Sequence, residues 1–192
     1  MAAAICAASL LMTGCGSDKA AGDTIKIGAI GEMTGCNDSY GTSMMRGFNM
    51  AVKEINANGG INGKKIALVE ADTKSEPAEA ANAMSKLINQ DKVSMVAGIF
   101  TSSSAIAACN ISETAKIPYL AIGATNPSVT AAKDGSTKPN TFRVCFIDPF
   151  QDTVGANFVS NELKAKTAAL YIDNSSDYSK SLADFFKKSF TA

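Results

Sequence analysis

The sequence predicts an α/β protein with a doubly wound parallel sheet, and three observations carry that prediction. Short apolar runs rich in Ile, Val and Ala alternate with longer stretches whose apolar residues recur at helical spacing. Most of the strand-like runs are followed by Gly, Ser, Thr, Asn or Pro, which suit a turn and a helix start. The strand–helix unit recurs along most of the chain, which calls for a parallel sheet with helices on both faces and right-handed crossovers.

Residues 24–30 alternate as a strand, with Ile25, Ile27 and Ala29 on one face. Residues 31–43 form a glycine-rich loop leading into a helix that runs to about residue 58. Its inner stripe is Met44, Met45, Phe48, Ala51, Val52 and Ile55, and Gly59-Gly60 ends it. Residues 65–71 are the second strand. Pro77 takes the first turn of the second helix, whose inner face is Ala80, Met84, Leu87 and Ile88. The third strand ends at Phe100 and its helix starts in the serine run. The fourth ends at Ile122. Residues 141–146 are a fifth extended segment, 151–163 a helix, 167–172 a strand and 178–190 a further helix.

Asp148-Pro149 marks a lobe boundary, giving one lobe over 24–147 and the start of a second over 148–192. Residues 2–12 are apolar but too short to span a bilayer, which takes about 20 residues. Residues 1–14 therefore read as a secretory signal whose basic head is missing, followed by a polar tether over 15–23.

The chain has 192 residues, with 18 Lys and Arg against 18 Asp and Glu. No basic run stands out, so nucleic-acid binding lacks electrostatic support. There is no histidine, which removes the Ser-His-Asp and Cys-His pairings and most zinc sites. The spacing Gly28-x-x-Gly31-x-x-x-Gly35 is not a dinucleotide fingerprint, and no P-loop is present. No catalytic residue, metal or cofactor is expected. Cys36, Cys109 and Cys145 form an odd set outside the leader and read as small buried or half-buried residues.

Two turns carry the functional signal. Ser102, Ser103 and Ser104 open a helix directly after an apolar strand. Gly123-Ala124-Thr125-Asn126-Pro127 follows another. Hydroxyls and free backbone N–H groups at a helix start suit a carboxylate, and Gly123 and Ala124 allow close approach to the backbone. In an open parallel sheet both turns fall beyond the carboxyl ends of the strands, where ligands sit. The receptor of an amino acid or similar small solute is the reading this supports. Alternatives are the ligand-sensing module of a regulator, or an α/β enzyme, since fold alone does not decide.

Five ordered segments resemble the type I periplasmic binding proteins, in particular the branched-chain amino-acid receptors of ABC transporters. They are Gly31-Glu32-Met33-Thr34-Gly35 with Tyr40-Gly41; the stretch from Ala51 to Gly63; Gly98 with the serine run; Gly123 to Pro127 with Thr130; and Asp177-Tyr178-Ser179. The resemblance implies that fold, represented here by the first lobe and the start of the second, and an amino-acid ligand delivered to a permease. It implies that Ser102, with Ser103 beside it, meets the ligand carboxylate. Thr125 would contact the ligand through hydroxyl and backbone, beside Ala124, and the Gly123 carbonyl would accept from its ammonium. Tyr40 would cover the side-chain pocket and Tyr178 would reach across from the second lobe. Met12-Thr13-Gly14-Cys15 resembles a lipobox, which implies lipidation of Cys15 and an extracytoplasmic, membrane-anchored protein. A disulfide known in some relatives would fall at Ser75 and Thr101, neither of which is cysteine. Cys36 stands where proline or another small residue is usual.

Overall fold

The computed structural model describes residues 24–191; the signal, the tether and Cys15 lie outside them. Five parallel strands form one sheet in the order β2-β1-β3-β4-β5. They are β1 (Thr24–Gly31), β2 (Lys65–Asp72), β3 (Met95–Gly98), β4 (Tyr119–Ala121) and β5 (Thr141–Arg143). The chain steps from β1 to β2 on one side, then crosses back to β3 on the other. That reversal makes a topological switch point between β1 and β3.

The helices are α1 (Asp38–Ala57), α2 (Pro77–Asn89), α3 (Ser102–Ala115), α4 (Asp148–Asn157) and α5 (Asp177–Phe190). A Cβ on Gly28 would meet Leu87 of α2, and one on Gly31 would meet Met44 of α1. Side chains three positions apart on a strand point to opposite faces, so α1 and α2 cover opposite faces of β1. The main core lies on the α2–α3 side. Met84, Leu87, Val96, Ile99, Ala105, Ala108 and Tyr119 are fully buried there. Met84 is thus a core residue, as is Met45 on α1, while Met44 is partly exposed.

Strands, helices and the proline start of α2 match the sequence expectations closely. The fifth extended segment is a strand only to Arg143, short of the expected 146, and four further differences stand out. First, α1 begins at Asp38, so Tyr40 lies in its first turn and not in the preceding loop. Second, β3 stops at Gly98 because Gly98 and Ile99 take φ of 135° and 58°, which turns the backbone out of the sheet. Third, α4 begins at Asp148, with Pro149 in its first turn, and continues as one wide π-helical turn over Phe158–Glu162. Fourth, residues 167–172 form no strand. Leu170, Tyr171 and Ile172 are exposed, and no described strand pairs with them, so the alternating pattern has no ladder to join. Cys109 is buried and Cys145 half-buried as expected, but Cys36 is exposed on the loop before α1; all three are free thiols.

Candidate functional site

At the carboxyl end of β3 the bent backbone delivers the N–H groups of Phe100 and Thr101 to the carboxylate of Glu32. Glu32 is fully buried just beyond β1. It accepts from Phe100 N at 3.0 Å, from Thr101 N at 3.0 Å and from Thr101 Oγ1 at 2.7 Å. The first four N–H groups of a helix have no partner within it, and together with the helix dipole they favour an anion. Glu32 takes the first of these. The N–H groups of Ser102, Ser103 and Ser104 remain at the helix end.

The loop after β4 is bound to that helix start. Ser102 is 2% exposed, and its hydroxyl accepts from Asn126 N at 3.2 Å. Three successive carbonyls of the loop are held by the last residue of β5 and the first of α4. Arg143 donates to the carbonyls of Ala124 at 2.9 Å and Asn126 at 3.1 Å, and Asp148 N donates to the Thr125 carbonyl at 3.1 Å. A further Arg143 N–H reaches Thr130 Oγ1 at 2.6 Å. Burial lowers the Arg143 pKa and raises that of the Cys145 thiol, whose own rise Arg143 opposes. With its carbonyls held on one side, the loop is fixed as a rigid partner of the α3 start.

Aromatic groups flank the same place. Tyr40 and Phe100 stack with ring centroids 4.4 Å apart and planes 10° from parallel. A Cβ on Gly123 would come within 2.3 Å of the Phe100 ring, so glycine is what lets that ring lie against the loop. Tyr40, Met44, Phe48, Phe100 and Ile122 line an open, mainly apolar groove beside the stack.

The predicted residues Ser102, Ser103, Gly123, Ala124 and Thr125 thus come together, with Tyr40 at the border through Phe100. Tyr178 lies in the first turn of α5, which is tied to the same helix start. Ser103 Oγ accepts from Asp177 N at 3.0 Å, and Asn126 Nδ2 donates to the Asp177 carbonyl at 3.0 Å. The Tyr178 hydroxyl accepts from Gln151 Nε2 at 3.1 Å. Sequence reasoning did not place Glu32 or Phe100 in the site. Their adjacency to the Gly31 and serine motifs was visible, but the contact between them is tertiary. Among the described residues no group of three or more His, Cys, Asp or Glu is placed to hold a metal.

The sheet thus brings an anion-favouring helix start at its switch point against a hydroxyl-bearing loop, where ligands of open α/β sheets sit. The sequence signature of the periplasmic binding proteins matches residues 24–192, and the chain belongs to that family. It is 41% identical over 160 residues to an amino acid binding protein of Pseudomonas aeruginosa, covering 83% of this chain and 41% of that one. The branched-chain amino acid transporter substrate binding protein LivJ of Streptococcus pneumoniae, solved with isoleucine, superimposes with a TM-score of 0.80 at 42% identity. It covers 88% of this chain and 47% of its own. A solute binding protein of an ABC transporter from Rhodopseudomonas palustris, solved with 3,4-dihydroxybenzoic acid, gives 0.76 at 27% identity over 88% of this chain and 44% of its own. The chain therefore spans less than half the length of the relatives it matches.

Proposed function

We propose that this chain supplies the first lobe, and the start of the second, of an extracytoplasmic receptor that captures an amino acid with an apolar side chain for an ABC transporter permease. The observation that carries the reading is the pairing of the α3 start with the Gly123–Asn126 loop. One side offers three helix-end N–H groups and the other the Thr125 hydroxyl. A ligand carboxylate would be held at this joint. The Gly123 carbonyl suits the ammonium, and the groove beside Tyr40 and Phe100 suits the side chain. Tyr178 closes from the other lobe. Function then needs no chemistry: a ligand that touches both lobes favours the closed arrangement. Cys15 would carry the lipid that holds the receptor at the membrane. The Tyr40–Phe100 stack favours one further reading, an aromatic carboxylate in place of the amino acid.

Nuclear magnetic resonance of the chain with isoleucine and with 3,4-dihydroxybenzoate separates the two. At ligand concentrations up to about 10 mM, isoleucine should shift the amides of Ser102–Ser104 and Ala124–Thr125. A response only to the aromatic acid selects the second reading. Silence of those amides toward both would place the site elsewhere. Radioactive palmitate labelling in a bacterium, with a basic leader restored, checks the anchor: label on the wild type and none on Cys15→Ser is expected.

A further inference from the structure

The segment that pins the Gly123–Asn126 loop carries two acids outside the predicted site. Asp148 and Asp152 stand one turn apart on the first two turns of α4, 0% and 3% exposed. Neither Asp148 oxygen has a hydrogen-bond partner among the described residues, and neither has Asp152 Oδ2. Two buried carboxylates side by side cannot both ionise cheaply, because each loses its water and repels the other. Arg143 acts on Asp148 through its charge, while its N–H groups go to the Ala124 and Asn126 carbonyls and to Thr130 Oγ1. The surroundings hold few other titratable groups. From the segment after β5 comes the Cys145 thiol, whose Sγ lies 3.6 Å from the Ala124 carbonyl. From α5 comes Tyr178, through Gln151. The other charges of α5 are turned to solvent: Lys180 pairs with Asp177 at the surface, and Asp184, Lys187 and Lys188 are exposed. Glu162, on the turn after α4, is exposed too.

The same first turn donates Asp148 N–H to the Thr125 carbonyl at 3.1 Å. Charge on the pair therefore reaches the Gly123–Asn126 loop through that hydrogen bond and through Arg143. We propose that Asp148 and Asp152 together carry one proton, with no hydrogen bond between them, and form a pH-sensitive latch that positions the Gly123–Asn126 loop. With the proton in place, the start of α4 stays docked on Thr125. Without it, two buried negative charges drive the joint open.

Burial, then the charge of Asp148, push the Asp152 carboxyl up to about 6 from its ordinary 3.8. A raised carboxyl binds its proton more tightly in the closed joint than in water. The stabilisation is complete below the ordinary value and is lost as pH rises through about 6. The latch does not depend on which ligand is bound, so its test stands apart from the receptor reading.

The test is a titration of the unliganded chain, carbon-13 labelled at aspartate, from acid to neutral pH. One carboxyl signal of the pair should titrate near pH 6, and the Thr125 and Asp148 amides should shift with the same midpoint. Exchange of the Asp148 amide, corrected for its intrinsic pH dependence, should rise about ten- to a hundredfold across the transition. Asp152→Asn, which keeps shape without charge, should abolish all three responses. Two carboxyls titrating in the ordinary range, or a midpoint near 6 with no response at Thr125, would overturn the proposal. The wild-type titration alone decides this if the variant does not fold.

Discussion

On the proposed reading Ser102 has two tasks, and its replacement should separate them. Its oxygen accepts the buried Asn126 N–H, while its own proton is free for a ligand carboxylate. Ser102→Ala leaves a buried donor unpaired, at a cost of about 1–3 kcal/mol in stability, and removes a hydrogen bond to a charged ligand group. We expect isoleucine affinity to fall roughly ten- to a hundredfold. Thr125→Val is the contrast. The Thr125 bond that holds the loop goes through its carbonyl, so stability should stay close to wild type while affinity falls. Calorimetry and urea denaturation on both variants give the comparison, and equal stability losses in the two would contradict this division. Glu32 is a third case. Glu32→Gln turns an amide toward backbone donors that need acceptors, and about 2–3 kcal/mol should be lost from the unfolding free energy. An unchanged urea midpoint would mean that the α3 start does not need that carboxylate.

At the scale of elements, the end of β3 controls the site. Gly98 has φ of 135°, and a Cβ there would stand 1.8 Å from the Ile30 carbonyl oxygen of β1. That contact is with backbone, so it cannot be relieved by a side-chain rotation. Gly98→Ala should cost about 3 kcal/mol or more and yield little folded protein. Recovery of Gly98→Ala with a wild-type melting curve would show that the bend is dispensable. Ile99, at φ of 58°, is a β-branched residue in a conformation such residues avoid, so strain is stored where the Phe100 and Thr101 amides are aimed. None of this is legible in the run from Val93 to Phe100, which reads as one continuous strand. Periodicity did show which residues face inward on α2, and the proline start of that helix was clear. It could not show that residues 167–172 lack a strand partner, because pairing is a property of neighbours. The hydroxyl-rich turns were legible because helix starts and close backbone approach demand particular residue types. Glu32 was not, because its role depends on a contact across the switch point.

Two surface-facing carboxylates tie loops to elements and set the acid response. At Asp72, burial raises the pKa, but bonds from Thr34, Lys74 and Met33 outweigh it and lower it. At Glu113, burial likewise raises it, and Thr141, Asn140 and Lys138 together lower it. A depressed folded value gives stability that is present above the ordinary carboxylate range and lost as pH falls through the folded value. Melting temperature should drop steeply below about pH 4. Asp72→Asn with Glu113→Gln should flatten that acid limb. The same slope in wild type and double variant would assign acid unfolding to other groups.

At the scale of the whole molecule, the core and the β5 edge of the sheet differ among the described residues. The α2–α3 side is a closed core, whereas an apolar band runs along β5 and α4. Phe142, Val144, Phe146, Phe150, Val154 and Phe158 are each more than half exposed there. β5 is also an edge strand, with one row of backbone groups unpaired. A band of this kind next to an open edge invites association. It lies beside the segment that pins the Gly123–Asn126 loop, so on the proposed reading association and ligand capture draw on adjoining surfaces. We expect the 192-residue chain to self-associate as its concentration rises, with sedimentation velocity showing a shift to larger species. Phe142→Lys with Phe150→Lys places charge on both parts of the band and should return the chain to a monomer. Both positions are exposed, so each substitution should change stability by no more than about 0.5 kcal/mol. If the wild-type chain stays monomeric over the whole range, or the charged variant associates equally, the band is not what drives association.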